Sequence, residues 1–337
     1  MQEIPLEPYA SLATAGAGKI AAFNVGADGH LYLALAEGPL DYLSVTTGGA
    51  GFPITTPAIP KLPDLPSRRR GCPPDCDRVR RAVQYSPRPA LARRSHPAGL
   101  RAQQPPPDGV EQNGRLYSTD GIFVRGLTLG DGIQDVAVTP DGLIWTSYFD
   151  EGVFGNSGRD QSPCQSGLAA WWQDASCAYE FAPVDGLGHI CDCYAMNACG
   201  NDIWVSYYTK FPLVHIRNGS IVRHLKIPVA GSDAFAIAGK YALFRGGYSR
   251  RNEYHLLTLP ESEPAFLRSK FTLRDPDGAL INAERAAGRG DTLFLLRGLD
   301  VFKITVGQAW KASLLAPAGC EAIKSPARKT GPGFSNS

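Results

Sequence analysis

Pro140-Asp141-Gly142-Leu143-Ile144-Trp145-Thr146-Ser147-Tyr148 decides the reading of this chain. Asp-Gly forms a tight turn because both residues tolerate positive φ, and the apolar, β-branched and aromatic run after it suits a buried strand. The same unit recurs as Ala27-Asp28-Gly29-His30-Leu31-Tyr32-Leu33 and as Gly200-Asn201-Asp202-Ile203-Trp204-Val205-Ser206-Tyr207-Tyr208. Weaker copies are Gly239-Lys240-Tyr241-Ala242-Leu243-Phe244 and Gly290-Asp291-Thr292-Leu293-Phe294-Leu295. Two-residue hairpins accompany them, at Thr119-Asp120-Gly121 and at Arg217-Asn218-Gly219.

With Tyr32, Trp145, Trp204, Leu243 and Phe294 as equivalent anchors, the spacings are 113, 59, 39 and 51 residues. The first is about twice the others, so one unit is hidden within it. A period of about 40 to 60 residues with four strands per repeat is the signature of a β-propeller. The expected fold is therefore all-β, a propeller of six blades with four antiparallel strands each, one blade being degraded or frameshifted around residues 66–106.

Composition agrees with a strand-and-turn protein. Among 337 residues there are 37 Gly and 27 Pro, which punctuate strands and are excluded from helix interiors. The start, Met1-Gln2-Glu3-Ile4-Pro5, has no apolar signal core, and no stretch reaches the roughly 18 apolar residues of a membrane span. These features predict a cytoplasmic protein without membrane association, and its eight cysteines are then expected reduced.

The net charge of +2 hides an asymmetry. Between Ser67 and Pro107 ten arginines and no lysine accompany only Asp75 and Asp77, a local charge of +8 that leaves −6 for the rest. Arginine mixed with Pro, Ala and Gly is what GC-rich coding DNA yields out of frame, so a double frameshift over roughly 66–106 is one reading. An inert linker and a basic arm for nucleic acid are the others, and nucleic-acid binding follows only if the stretch is genuine. The organisation is then an N-terminal segment 1–19, propeller 20–65, an irregular stretch 66–107, propeller 108–315 and a flexible tail 316–337.

Ten residues before each of four successive anchors stand Asp135, Tyr194, Asp233 and Glu284. In a propeller that position opens the innermost strand, so three carboxylates would face one axial mouth. Oxygen ligands from several blades suit Ca²⁺, Mg²⁺ or Mn²⁺, which can activate water; the same carboxylates can instead staple one blade to the next. Asp131, Gln134, Asp150 and Glu151 cluster with several glycines around the best-formed unit, with Asp150 or Glu151 as a candidate base and Asp131 and Gln134 as further mouth residues. Ordinary turn chemistry accounts for the same residues. His189-Ile190-Cys191-Asp192-Cys193 sets three soft ligands at alternate positions, without the paired spacing of a structural zinc site. No phosphate loop, nucleophile elbow or zinc-protease motif occurs.

The Asp-Gly-Leu-Ile-Trp and Asn-Asp-Ile-Trp strands resemble blades of the propeller group that includes NHL-repeat proteins and the gluconolactonase/SMP-30 family. The run from Gly130 to Gly155 also resembles a group of actinobacterial propellers. The resemblance spans about residues 20–60 and 108–315 and implies architecture; for a lactonase it further implies a divalent cation on the axis held by Glu, Asn and Asp. The carboxylates Asp135, Asp233 and Glu284 come from the repeat alignment alone. Two functions are carried forward: a module that binds a small molecule or a protein, and a metal-dependent hydrolase or lactonase with those three ligands and Asp150 as base.

Overall fold

The computed structural model describes residues 1–13, 19–26, 29–36, 83–85, 113–117, 123–154, 163–261 and 264–315. Strands β1 (Gln2–Pro5) and β2 (Ala10–Ser11) precede a hairpin of β3 (Lys19–Val25) and β4 (Leu31–Ala36). Next comes a three-stranded antiparallel sheet of β5 (Val83–Tyr85), β6 (Gly114–Tyr117) and β7 (Phe123–Leu127). Four fuller sheets follow, each pairing its strands in chain order. The first holds β8 (Ile133–Val138), β9 (Ile144–Tyr148), β10 (Leu168–Trp171) and β11 (Cys177–Glu180), with the short helix α1 (Asp150–Phe154) after β9. The second holds β12 (Asp192–Cys199), β13 (Asp202–Tyr208), β14 (Pro212–Arg217) and β15 (Ser220–Lys226). The third holds β16 (Phe235–Ala238), β17 (Tyr241–Arg245), β18 (Tyr254–Thr258) and β19 (Phe266–Arg274). The fourth holds β20 (Arg285–Arg289), β21 (Thr292–Arg297) and β22 (Asp300–Thr305), leading into α2 (Val306–Leu314).

Each repeated turn joins the first strand of a sheet to its second, and every sequence anchor lies on a second strand. Trp145, Trp204, Leu243 and Phe294 are buried there, whereas Tyr32 is 43% exposed on β4. The Asn218-Gly219 turn has both residues at positive φ, 51° and 67°, as its sequence requires. Thr119-Asp120-Gly121 lies outside the described residues.

The middle strands are buried on both faces, as in the unbroken buried runs of β9, β10, β13 and β14, so consecutive sheets share cores rather than owning them. Leu116 and Leu127 pack with Ile144 and Trp171; Trp145 and Ala170 pack with Met196 and Val214. Trp204 and Leu213 meet Phe235 and Phe244; Leu243 and Phe271 meet Leu293 and Phe302. Leu296 and Val301 of the fourth sheet reach Ile20, Phe23 and Leu31 of the first hairpin. The succession is a radial one, a β-propeller with four full blades, a three-stranded sheet and a hairpin among the described residues.

The N-terminal segment belongs to this arrangement rather than preceding it. β2 runs antiparallel to β22, with Ala10 opposite Val301, and supplies the fourth strand of the fourth blade. β1 lies parallel to β19, with Gln2 opposite Phe271, as a fifth strand of the third blade. Pairing of the chain start with late strands ties the ring and satisfies edges that would otherwise invite aggregation.

The expected count of six blades rested on dividing the 113-residue gap evenly. Within that gap the described residues form only β5, β6 and β7, and Asn24 of β3 donates directly to Asp135 and Val136 of β8, at 3.1 and 3.0 Å. The β5–β7 sheet stands where the long spacing placed a hidden unit; most of the rest of the gap lies outside the described residues. The arginine-rich stretch lies outside the described residues except for Val83–Tyr85, which pairs with β6. Among the described residues, no helix is long and apolar enough to cross a membrane.

Candidate functional site

The repeat alignment places the expected carboxylates at the starts of innermost strands, and the structure agrees on that position. Asp135 is opposite Ser147, Glu284 N–H donates to Leu296 O, and Asp233 precedes β16. What surrounds each carboxylate differs from a shared metal site. Asp135 is paired with Arg289 at 3.0 and 3.1 Å, accepts from Asn24 and also takes its own neighbour's Val136 N–H at 2.8 Å. Asp233 is paired with the buried Arg245 at 3.2 Å and with Arg251 at 3.6 Å. Glu284 is exposed and accepts from Gly298 N–H at 3.2 Å. Among the described residues, no three His, Cys, Asp or Glu groups gather closely enough to hold one metal ion.

The axis is instead occupied by a guanidinium. Arg289, 7% exposed at the end of β20, donates to Val25 O, Val136 O, Met196 O and Gly288 O as well as to Asp135 and Asn24. One side chain thus joins β3, β8, β12 and β20. Asn197 makes the matching link to β16, donating to Phe235 O and Gly290 O and accepting from Gly290 N–H. Arg245 repeats the device between blades three and four through Asp233, Arg251 O and Ala283 O. These links tie the backbone carbonyls of neighbouring sheets together through side-chain donors.

The remaining expected residues scatter. Asp131 caps its own turn by accepting from Gly132 N–H, and Gln134 buries its Oε1 without a hydrogen-bond partner. Asp150 is exposed at the start of α1 and Glu151 half-buried beside it. Tyr194 joins an aromatic cluster rather than the axis. Of the soft-ligand trio, His189 is exposed while Cys193 is fully buried.

A groove that the repeat alignment did not indicate lies where the hairpin end of the second blade meets Ile237, Ala238 and Gly239 of the third, enclosing about 660 Å³. It follows from register. Trp204 is opposite His215, and His215 is opposite Arg223, so the three form one row across β13, β14 and β15. The indole and imidazole rings stack 3.9 Å apart and nearly parallel, with the Arg223 guanidinium 5.2 Å from the indole centre. Nearer the turns, Asp202 is held bidentately by Arg217 at 2.7 and 2.6 Å. That pairing holds the Asp202 carboxyl below its usual value. Cys199 and Asp291 complete the lining, and burial with the nearby Asp202 and Asp291 charges raises the Cys199 thiol, which stays protonated.

His215 has its Nε2 buried and 3.3 Å from Asp202 Oδ2, without hydrogen-bond alignment. Burial lowers its pKa below the ordinary 6.5 despite Asp202, and burial does the same to His255. Both rings are neutral in the fold at a pH where the unfolded chain already binds protons, so acidification favours unfolding. The melting midpoint is expected to fall as pH drops from about 7 to about 5, and the slope to shrink in His215→Phe, which keeps a ring against Trp204. An unchanged slope in that variant would sink the assignment.

A family profile, the YxzG family, matches residues 181–304, which include the groove and blades two to four. No curated protein sequence matches the chain. Solved structures match only remotely. A gluconolactonase from Xanthomonas campestris, described as important in glucose secondary metabolic pathways, matches at 13% identity and a TM-score of 0.34, over 58% of this chain and 65% of that one. A chain of a mitotic checkpoint complex matches at 12% and 0.35, over 57% and 58%. Apo AztD from Citrobacter koseri matches at 14% and 0.31, over 60% and 53%. This chain thus spans less than two thirds of each of these proteins, and none of them lends it a function.

Proposed function

We propose that this propeller is a binding module whose ligand occupies the groove between the second and third blades, and that the ligand is a small zwitterion such as an amino acid or a dipeptide. The observation that carries this is the charge left in the groove once Asp202 and Arg217 have neutralised each other. Arg223 presents a cation over Trp204, and Asp291 presents an anion across the lining. A carboxylate and an ammonium on one molecule answer both charges. Trp204 and the neutral His215 form a rigid, largely desolvated floor that strengthens such contacts.

The hydrolase reading has less support, because Asp135 and Asp233 are committed to guanidinium groups that a cation would have to displace. A cytoplasmic location, where cysteine thiols stay reduced, is part of this proposal.

The test is thermal melting with a panel of dipeptides, set against amines and carboxylates that carry one charge each. A dipeptide at about a hundred times its dissociation constant stabilises the fold by roughly 2.7 kcal/mol and raises the midpoint by several degrees. Arg223→Ala and Asp291→Asn are each expected to remove the rise. A rise of equal size with simple amines or carboxylates, no rise at all, or one that survives both substitutions would defeat the reading.

A further inference from the structure

At the opposite end of the same blades lies a second surface that the groove does not explain. Strands alternate in direction, so the β13–β14 turn, the β17–β18 connection and the start of β12 share the end away from the first-to-second-strand hairpins. There Phe211 forms the hub of four aromatic rings. Tyr194 lies 5.0 Å from it, Tyr208 5.8 Å and Tyr248 6.2 Å, centre to centre, and Tyr194 also touches Tyr248 at 6.2 Å. Phe211 is buried, while Tyr208 and Tyr248 are 48% and 57% exposed. Two tyrosine faces therefore stand in water on a rigid apolar base.

The backbone is shaped to hold them there. Lys210, Phe211 and Tyr248 have φ of 66°, 48° and 52°, three of the five non-glycine residues with positive φ among those described. Bulky side chains avoid that region, and its retention in one cluster marks a surface that packing over-determines. Two glycines seat Tyr248. A Cβ on Gly231 would fall 2.5 Å from the Tyr248 ring, and one on Gly247 would fall 1.9 Å from Ala230 O. The ring lies against bare backbone at Gly231.

Charge selects the occupant. Lys210 sits between Tyr208 and Phe211, and Arg250 and Arg251 follow Tyr248 by two and three residues. The nearby Asp233 is neutralised by Arg245 and Arg251, and Asp192 stands opposite Tyr208 on the ladder. Exposed Lys210 and Arg250, with Asp192 counted against them, leave a rim of excess positive charge beside the tyrosines on a chain whose charge outside residues 67–107 is −6. The arginine-rich segment, at +8, and the tail with Lys324, Arg328 and Lys329 carry the same sign as the rim and are repelled by it. Exposed tyrosine beside lysine and arginine is the composition of a protein-recognition hot spot, where the rings supply area at low entropic cost and the cations fix the partner's sign.

We infer that the Tyr208–Tyr248 surface docks an acidic, apolar segment of a partner protein. The probe is a short fluorescein-labelled peptide of alternating Glu and Leu, followed by anisotropy, with a matched Lys and Leu peptide and a labelled oligo-thymidine as comparators. The acidic peptide is expected to bind saturably and more weakly as salt rises, and the basic peptide not to bind. Tyr248→Ser, and separately Lys210→Glu with Arg250→Glu, are each expected to weaken binding by about tenfold or more. Val222→Ser, exposed on the outer strand of the second blade, is expected to leave it unchanged. Four results would overturn the inference: no saturable binding of the acidic peptide, binding that the folded Lys210→Glu/Arg250→Glu protein retains, equal or tighter binding of oligo-thymidine, or a dimer that Tyr248→Ser dissolves.

Discussion

Replacing Arg289 with alanine is expected to destabilise the protein by about 3–5 kcal/mol, the loss typical when one partner of a buried ion pair is removed. The size follows from what one guanidinium does. Its side chain is 5% exposed, and it satisfies the Asp135 carboxylate together with carbonyls on β3, β8, β12 and β20. Truncation leaves the half-buried Asp135 charge without its cation and removes the donor to several backbone carbonyls. Lysine does not restore the loss, because its compact ammonium cannot reach Val25 O and Met196 O while chelating Asp135. Urea unfolding measures the effect. A midpoint within the range of a surface substitution would show that the axis is held elsewhere.

Gly288→Ala is the second large effect, expected to cost about 4 kcal/mol or to prevent folding outright. The position lies on β20, where it faces the start of β16. A Cβ there would fall 1.8 Å from Phe235 O and 2.8 Å from Phe235 C, and both are main-chain atoms of another blade. Backbone cannot rotate aside as a flexible side chain can, so blades three and four would have to separate at the axis, and Asn197, which donates to Phe235 O, would lose its partner. Gly298→Ala is the control. Its φ of 60° strains an added side chain, but nothing lies within 4 Å of the new carbon, so a loss of about 1 kcal/mol is expected. Equal losses at the two positions would mean that close approach of the inner strands does not hold the ring.

The blade pattern was legible because it is written locally. Turn glycines and the apolar runs after them identify the second strand of five of the six sheets without any knowledge of neighbours, and the position ten residues before each of the four later anchors falls at or near the start of an inner strand. The partners of those residues were not legible. Asp135 and Asp233 look alike in sequence to ligands and to staples; only the ring brings Arg289 to Asp135, 154 residues away, while Arg245 reaches Asp233 within one hairpin, across the β16–β17 pair. A signal existed in hindsight: Gly288-Arg289-Gly290 places one long cation between two glycines at an inner-strand end, where close approach to an axis demands both features.

The groove escaped for a different reason. The Asn218-Gly219 turn sets Arg217 opposite Ser220 and Ile216 opposite Ile221, so counting outward would put His215 opposite Val222. A register shift between His215 and Ile216 puts Arg223 there instead, and so brings the guanidinium beside Trp204. A bulge moves every later side chain to the other face, and nothing in the local residues announces it.

The central claim is that the axial carboxylate is half of a structural pair, and a double-mutant cycle on Asp135→Ala and Arg289→Ala measures it most directly. The account predicts that each single variant is strongly destabilised and that the double variant loses less than their sum by about 2 kcal/mol, because removing both partners leaves no unpaired charge. Additive losses, or an Asp135→Ala protein as stable as the parent, would contradict it.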